Sequence, residues 1–325
     1  MTTSALGRSF GREAFGDDPA NYHVTRPPYP EATWQALSKR ANLGSGVDIL
    51  EIGAGTGLAT AQLLARAPKQ LVAVEPDIRL ADFLKRSIVD PRLKVVASSF
   101  EDSELPPVSF DLVASATAFH WLDAVPELRR IRGLLRSNGA VALWWNVFGD
   151  SSRPDAFHEA TTRLFAGQRT SPSAGDENRP PYALDTAARI QDLTDADFQP
   201  DPPELIRWTL NLDVSGVRGL YGTYSNVNAL PPAERANLLD ALDEILNTDF
   251  VFGKIQRSKL RQSAQGGSLG LKALRSRTTG RSMGPIEYDA PPLRPMMSPL
   301  QEGTHGPGIP PQVQVLPEVL SPRPV

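Results

Sequence analysis

The chain has no cysteine, little net charge and no long apolar run. Without cysteine there are no disulfides, no zinc–thiolate sites and no cysteine nucleophile. The 34 Lys and Arg against 37 Asp and Glu give a net charge of -3. That balance argues against a broad electrostatic surface for nucleic acid, though a local basic patch stays open. The longest apolar run, Ala140 to Trp145, is far short of the ~20 residues that cross a bilayer. The N-terminus shows no hydrophobic signal core. The expectation is a soluble, cytoplasmic protein with no membrane partner. The four histidines, His23, His120, His158 and His305, have no metal-ligand spacing, so no metal is expected. A length of 325 residues suits one large domain or two small ones.

What the chain does have is Leu50-Glu51-Ile52-Gly53-Ala54-Gly55-Thr56-Gly57, followed 18 residues after Gly57 by Glu75. Val47 to Ile52 is an apolar run broken by two acids, as in a buried parallel strand. Glycines at alternate positions allow a tight turn and let the backbone press against a ligand. Leu58 to Ala67 reads as a helix whose N-terminus faces that ligand. Glu75 closes the next apolar run and sits at the carboxyl end of a second strand, where a carboxylate can take both hydroxyls of a ribose. The unit is a nucleoside-binding βαβ. A dinucleotide site carries G-x-G-x-x-G with pyrophosphate on the helix N-terminus. Here Glu51 precedes the first glycine by two residues. A carboxylate there suits a cationic amino-acid end better than a phosphate.

On these residues the chain, over roughly 10 to 249, resembles the class I S-adenosylmethionine-dependent methyltransferases. The stretch Ala118-Phe119-His120-Trp121 resembles the AFHW motif of the trans-aconitate and methyltransferase type 11 groups. The resemblance implies an α/β fold, a doubly wound Rossmann-like sheet, with S-adenosylmethionine as cofactor. It implies contacts to that cofactor from Glu51, Gly53, Ala54, Gly55, Gly57 and Glu75. Ser99 stands where an Asp is common beside the adenine, with Phe100 next to it, and Glu101 is a further candidate or a surface acid. Ala116 leaves room for the cofactor. The absence of cysteine excludes the family branches that work through that residue. Two other readings stay open: an inert cofactor-binding module, and a Rossmann oxidoreductase using a nicotinamide.

Alternating patterns predict strands at 47–52, 71–75, 93–97, 110–114 and 139–146, with helices at 57–66, 77–88 and 124–136. Asn138 and Gly139 are expected to end the last of these in left-handed conformations. Residues 1–40 form an N-terminal lid segment, 41–148 the cofactor-binding core, and 149–249 an acceptor-side helical region with the remainder of the sheet. The lid has the form FG…A…Y…RPxYP, followed by a helix over 31–41. In the family such a segment folds over the cofactor, which places Tyr22, Arg26 and Tyr29 at the acceptor site, with His23 a minor candidate. Helices are expected near 154–166 and 184–191, and a short strand over 206–210. Pro232 to Asn247 is amphipathic, with Leu238, Leu239, Leu242, Ile245 and Leu246 on one face. The 219–228 region, including Tyr224, lines the acceptor pocket in relatives.

His120 has two readings: a general base, being near neutral in pKa, or a structural histidine bonded to a main-chain carbonyl. Trp121 would wall the pocket. The expected acceptor is a small molecule, not a nucleic acid; oligomeric state is not readable. Beyond residue 249 the character changes. From Phe250 to Val325 there are 10 Lys or Arg against 4 Asp or Glu, and 11 of the 30 prolines. Such composition predicts an atypical, mostly disordered tail, without the strand that usually completes the family's sheet. Its origin is either a reading frame shifted near residue 250 or a tail that binds a partner.

Overall fold

The computed structural model describes residues 6–11, 13–41, 43–148, 156–175, 180–208, 210, 212–249 and 266–272. The chain runs α1 (Arg8–Gly11), α2 (Pro19–Thr25), α3 (Glu31–Ala41), β1 (Asp48–Ile52), α4 (Leu58–Leu64), β2 (Gln70–Glu75), α5 (Ile78–Ser87), β3 (Leu93–Ala97), β4 (Phe110–Ala116), a 3-10 turn (Phe119–Trp121), α6 (Ala124–Leu134) and β5 (Leu135–Val147). It continues with α7 (Ala156–Thr161), a 3-10 turn (Thr162–Phe165), α8 (Thr186–Asp195), β6 (Glu204–Trp208), α9 (Val214–Gly222), α10 (Ser225–Asn228), α11 (Pro232–Asp249) and β7 (Gly266–Lys272).

The strands form one sheet in the order β3-β2-β1-β4-β5-β7-β6. The first five are parallel, and β7 is antiparallel to both neighbours. Because successive side chains point to opposite faces, the apolar strands feed two layers at once. Ile49, Leu71, Leu112 and Trp144 pack against Trp34 and Leu37 of α3, Leu63 of α4 and Leu84 of α5. Leu50, Val72, Val113 and Trp145 pack on the other face with Leu128 and Ile131 of α6 and Leu193 of α8. Leu128 and Ile131 are at most 1% exposed, so each contributes about 1.5–3 kcal/mol of burial. A third cluster joins Phe157 of α7, Val217 and Tyr221 of α9, and the stripe Leu238, Leu239, Leu242 and Leu246 of α11. Among the described residues no helix is long and apolar enough to cross a membrane.

The sheet order reverses at β1, which pairs with β2 on one side and β4 on the other. That reversal opens a crevice beyond the carboxyl ends of β1 and β4.

Three expectations are corrected. α6 ends at Leu134, and Leu135 is already extended (φ -79, ψ 141). Asn138 and Gly139 therefore lie inside β5, and neither has a positive φ. The helix expected over 154–166 is, within the described residues, a short helix followed by a 3-10 turn, with 154–155 outside them. The sheet does acquire a further strand, Gly266–Lys272, inserted between β5 and β6. Its sequence, GGSLGLK, carries three glycines and no β-branched residue. It is held by backbone ladders on both sides and not by strand propensity. The rest of 250–325 lies outside the described residues.

Candidate functional site

After Ile52 the chain turns sharply. Gly53 and Ala54 donate their N–H groups to Val74 O (2.9 and 3.2 Å), folding the loop back onto β2. A Cβ on Gly53 would lie 2.4 Å from Ala118 Cβ, so this approach of the β4 loop needs glycine. Gly55 has φ +57, and a Cβ there would meet no protein atom within 4 Å. Its N–H donates to Glu75 Oε2 (2.7 Å), while Asp77 N–H donates to Glu75 Oε1 (3.0 Å). The carboxylate at the end of β2 is thereby fixed from both oxygens.

A first cavity opens here. Its wall includes Glu51, Gly53, Ala54, Gly55, Glu75, Ser99, Phe100, Glu101 and Ala116, with Gly11, Phe15 and Tyr22 contributed by the N-terminal segment. Glu51 is 1% exposed. Its Oε2 accepts from Thr60 Oγ1 (2.6 Å), and its Oε1 is buried with no partner. Burial pushes the Glu51 carboxyl up to about 8, with the Thr60 bond opposing and Glu75 adding to the rise. Burial likewise raises Glu75 to about 7, against its two backbone hydrogen bonds. An unpaired buried carboxylate oxygen is costly alone and well suited to a cationic ligand.

A second cavity of about 430 Å³ adjoins the first and shares Phe15, Tyr22, Thr117 and Trp121 with it. Its wall adds Arg26, His120, Asn146, Gln168, Arg169 and Tyr224. Arg26 stands over the rings of Tyr22 (5.1 Å) and Tyr224 (5.2 Å) and donates from Nη2 to Thr223 O (2.8 Å). Its Nε is buried without a partner, as is the Tyr224 hydroxyl. His120 Nδ1 accepts from Trp145 Nε1–H (3.2 Å), which places the histidine's own proton on Nε2. Thr117 sits between the cavities with φ +55, a rare conformation for a β-branched residue. Its Oγ1 accepts from Asn146 N–H (3.2 Å) and bonds to the Tyr29 hydroxyl (2.8 Å).

Several sequence assignments change place. Gly57 lines neither cavity. It is needed because its φ is +93 and a Cβ would press on Leu84 Cδ1 of α5 at 2.5 Å. Tyr29 belongs to the first cavity only, wedged edge-on against Trp34 and Trp144. The near-neutral pKa expected of His120 is not found: burial, with a smaller push from Arg26, drives it down to about 3. Its partner is an indole and not a main-chain carbonyl. His23 lines neither cavity and packs on Phe83. Ser99 does line the first cavity, with its hydroxyl donated to Asp102 Oδ2 (2.6 Å). Sequence reasoning gave Thr117 no role of its own and missed Asn146, Gln168–Ser171 and Ser173–Gly175, all walls of the second cavity. A polar loop without periodicity carries no signal for the last two stretches, whereas Thr117 directly follows Ala116 and was within reach.

Comparisons with known proteins agree on one family. The family model described as a methyltransferase domain matches residues 50–143. An uncharacterised methyltransferase of Schizosaccharomyces pombe is 30% identical over 237 residues, covering 72% of this chain and 87% of the relative. A Saccharomyces cerevisiae protein assigned as an S-adenosylmethionine-dependent methyltransferase is 27% identical over 45% of this chain and 48% of its own. The crystal structure of a protein assigned as a methyltransferase of an antibiotic biosynthesis pathway in Anabaena variabilis superposes with a TM-score of 0.54. It shows 19% identity over 77% of this chain and 99% of that one. These matches set aside the nicotinamide oxidoreductase reading. With its glycine loop, its two buried acids and its switch-point crevice, the chain belongs to the class I S-adenosylmethionine-dependent methyltransferases.

Proposed function

We propose that the chain methylates a small anionic molecule held in the second cavity. The observation that carries this is the charge of the wall. Arg26 and Arg169 line it, the buried His120 is neutral, and no Asp or Glu is among the described lining residues. Arg26, with a buried and unpartnered Nε, is built to receive an anionic group.

The first cavity is the cofactor's side. Glu51 Oε1 takes the ammonium of the methionine part, and the backbone of Gly53 to Thr56 lies along it. Glu75 takes the ribose hydroxyls, and Phe100 and Ser99 stand beside the adenine. S-adenosylmethionine, when bound, supplies a methyl group on a positively charged sulfur. The protein's task is then alignment and exclusion of water. Thr117 and Trp121, common to both cavities, mark where the acceptor meets the methyl group. His120 serves as an Nε2–H donor to the acceptor and not as a base, since Trp145 occupies its other nitrogen. The described lining offers no carboxylate base, so the acceptor's nucleophile is already free of its proton.

The test is transfer of labelled methyl from S-adenosylmethionine to a panel of small carboxylic acids, run beside a panel of neutral and cationic amines. Transfer to an acid is expected. Arg26→Leu should raise that acid's KM by about 10-fold or more, the loss of about 1.5–3 kcal/mol for a charged hydrogen bond. Affinity for S-adenosylhomocysteine should stay within about twofold, because Arg26 does not line the first cavity. Transfer only to amines would overturn the anion reading. Transfer to nothing, with the cofactor bound, would make the chain an inert binding module. A second check concerns His120. With a pKa of about 3, it stays neutral from pH 5 to 9. At saturating cofactor and acceptor, kcat should show no inflection near 6.5. A clear inflection there that vanishes in His120→Gln would restore it as the base.

A further inference from the structure

We infer that Arg79 is a positioning residue that ties the seating of Glu75 to closure of the N-terminal segment, so that cofactor and segment lock together. This rests on the cofactor reading of the first cavity. Arg79 is the second residue of α5. On its inner side, Nε donates to Asp77 Oδ1 (3.0 Å) and Nη2 to Asp77 Oδ2 (2.7 Å), a two-pronged pairing. Asp77 is 5% exposed. It caps α5 by accepting from Arg79 N–H (2.9 Å), and its own N–H holds Glu75 Oε1. The guanidinium is thus one residue removed from the carboxylate proposed to grip the ribose.

On its outer side the same guanidinium reaches the N-terminal segment. Nη2 donates to Glu13 O (2.7 Å), and Nη1 donates to Asp17 Oδ1 (2.5 Å). Gly16 lies flat against this pair: a Cβ there would fall 2.1 Å from Asp77 Oδ2 and 2.4 Å from Arg79 Nε. The segment so held supplies Gly11, Phe15 and Tyr22 to the wall of the first cavity. Of these, Phe15 and Tyr22 also wall the second.

The two sides differ in strength. The Asp77 pairing is shielded, since the Asp77 side chain is 3% exposed. The Asp17 arm is open, with Asp17 at 79%. Exposed ion pairs are weak and screened by salt. The outer arms therefore release while the inner pairing persists, and the segment swings without dismantling the carboxylate beneath it. Coupling of this kind is reciprocal: ligand on Glu75 favours the closed segment, and the closed segment retains the ligand.

The test uses S-adenosylhomocysteine alone. Its dissociation rate is followed by tryptophan fluorescence, because Trp121 lies in the cavity wall. Hydrogen exchange over residues 11–22 is measured with and without the ligand. Arg79→Gln should speed dissociation about 10-fold or more, the scale of a lost charge-assisted contact, and abolish ligand-induced protection of the segment. Asp17→Asn should speed it about 2- to 5-fold and flatten its dependence on salt. Arg79→Lys should recover only part of the effect, since an ammonium cannot fork. Dissociation within about twofold of wild type, with protection retained, would overturn the inference and leave the cofactor reading standing. If Arg79→Gln does not fold, Asp17→Asn decides in the same way. No binding to the wild-type chain would overturn both.

Discussion

Gly55→Val should abolish binding of S-adenosylhomocysteine, with calorimetry showing a loss of about 100-fold or more. Two effects add. Gly55 holds φ +57, a region that costs an ordinary residue about 1–2 kcal/mol and a β-branched one more. A Cβ at this position meets no protein atom within 4 Å, so the fold tolerates the new atoms but the cavity loses the space. Any relaxation of φ also withdraws Gly55 N–H from Glu75 Oε2, unseating the carboxylate proposed for the ribose. The variant should therefore stay folded, with a melting temperature lowered by several degrees for about 2 kcal/mol or somewhat more, yet fail to bind. Affinity within about threefold of wild type would place the ligand elsewhere.

Glu51→Gln should separate stability from binding, and the sign depends on pH. Burial raises the Glu51 carboxyl from 4.5 to about 8. A group raised on folding contributes stability that is fully present below its unfolded pKa and lost as pH rises through the folded one. For Glu51 the loss runs between about 4.5 and 8. Glutamine keeps an oxygen for the Thr60 hydroxyl but never ionises. Without ligand, the variant should match wild type at pH 5 and melt higher at pH 9. Its affinity for S-adenosylhomocysteine at pH 9 should fall by about 10- to 150-fold, as the ammonium loses a charged partner worth about 1.5–3 kcal/mol. The wild-type affinity should in turn weaken as pH drops through 8 and then 7, the values for Glu51 and Glu75, because both carboxylates must shed protons to meet the ligand. Melting curves at the two pH values, with and without ligand, check all of this. An equal difference in melting temperature at pH 5 and pH 9 would sink the argument.

Much of the fold was legible because parallel strands buried on both faces read as plain apolar runs, as Asp48–Ile52 and Gln70–Glu75 do. The glycine loop was legible because closely spaced glycines mark a backbone that side chains would obstruct. Glu75 was legible because a lone acid closing an apolar strand stands where such sheets bind their ligands. What stayed hidden depends on distant partners. That Gly57 packs on α5 requires knowing where Leu84 and Ile88 lie. The depressed pKa of His120 comes from burial beside Trp145, 25 positions away. The strand Gly266–Lys272 defies propensity altogether, since its glycines are tolerated only by the ladders that flank it.

That strand imposes an order of events on synthesis. Among the described residues β6 pairs with the sheet only through β7, which enters between it and β5. During translation, Glu204–Trp208 leaves the ribosome first and must wait while three more helices are made, a matter of seconds at about 5–20 residues per second. Throughout that interval β5 presents an open edge bearing Leu143, Trp144 and Trp145, the kind of edge on which nascent chains pair with the wrong neighbour. A ribosome that stalls or stops within this window therefore releases a chain with a nearly complete cofactor fold and an unguarded side.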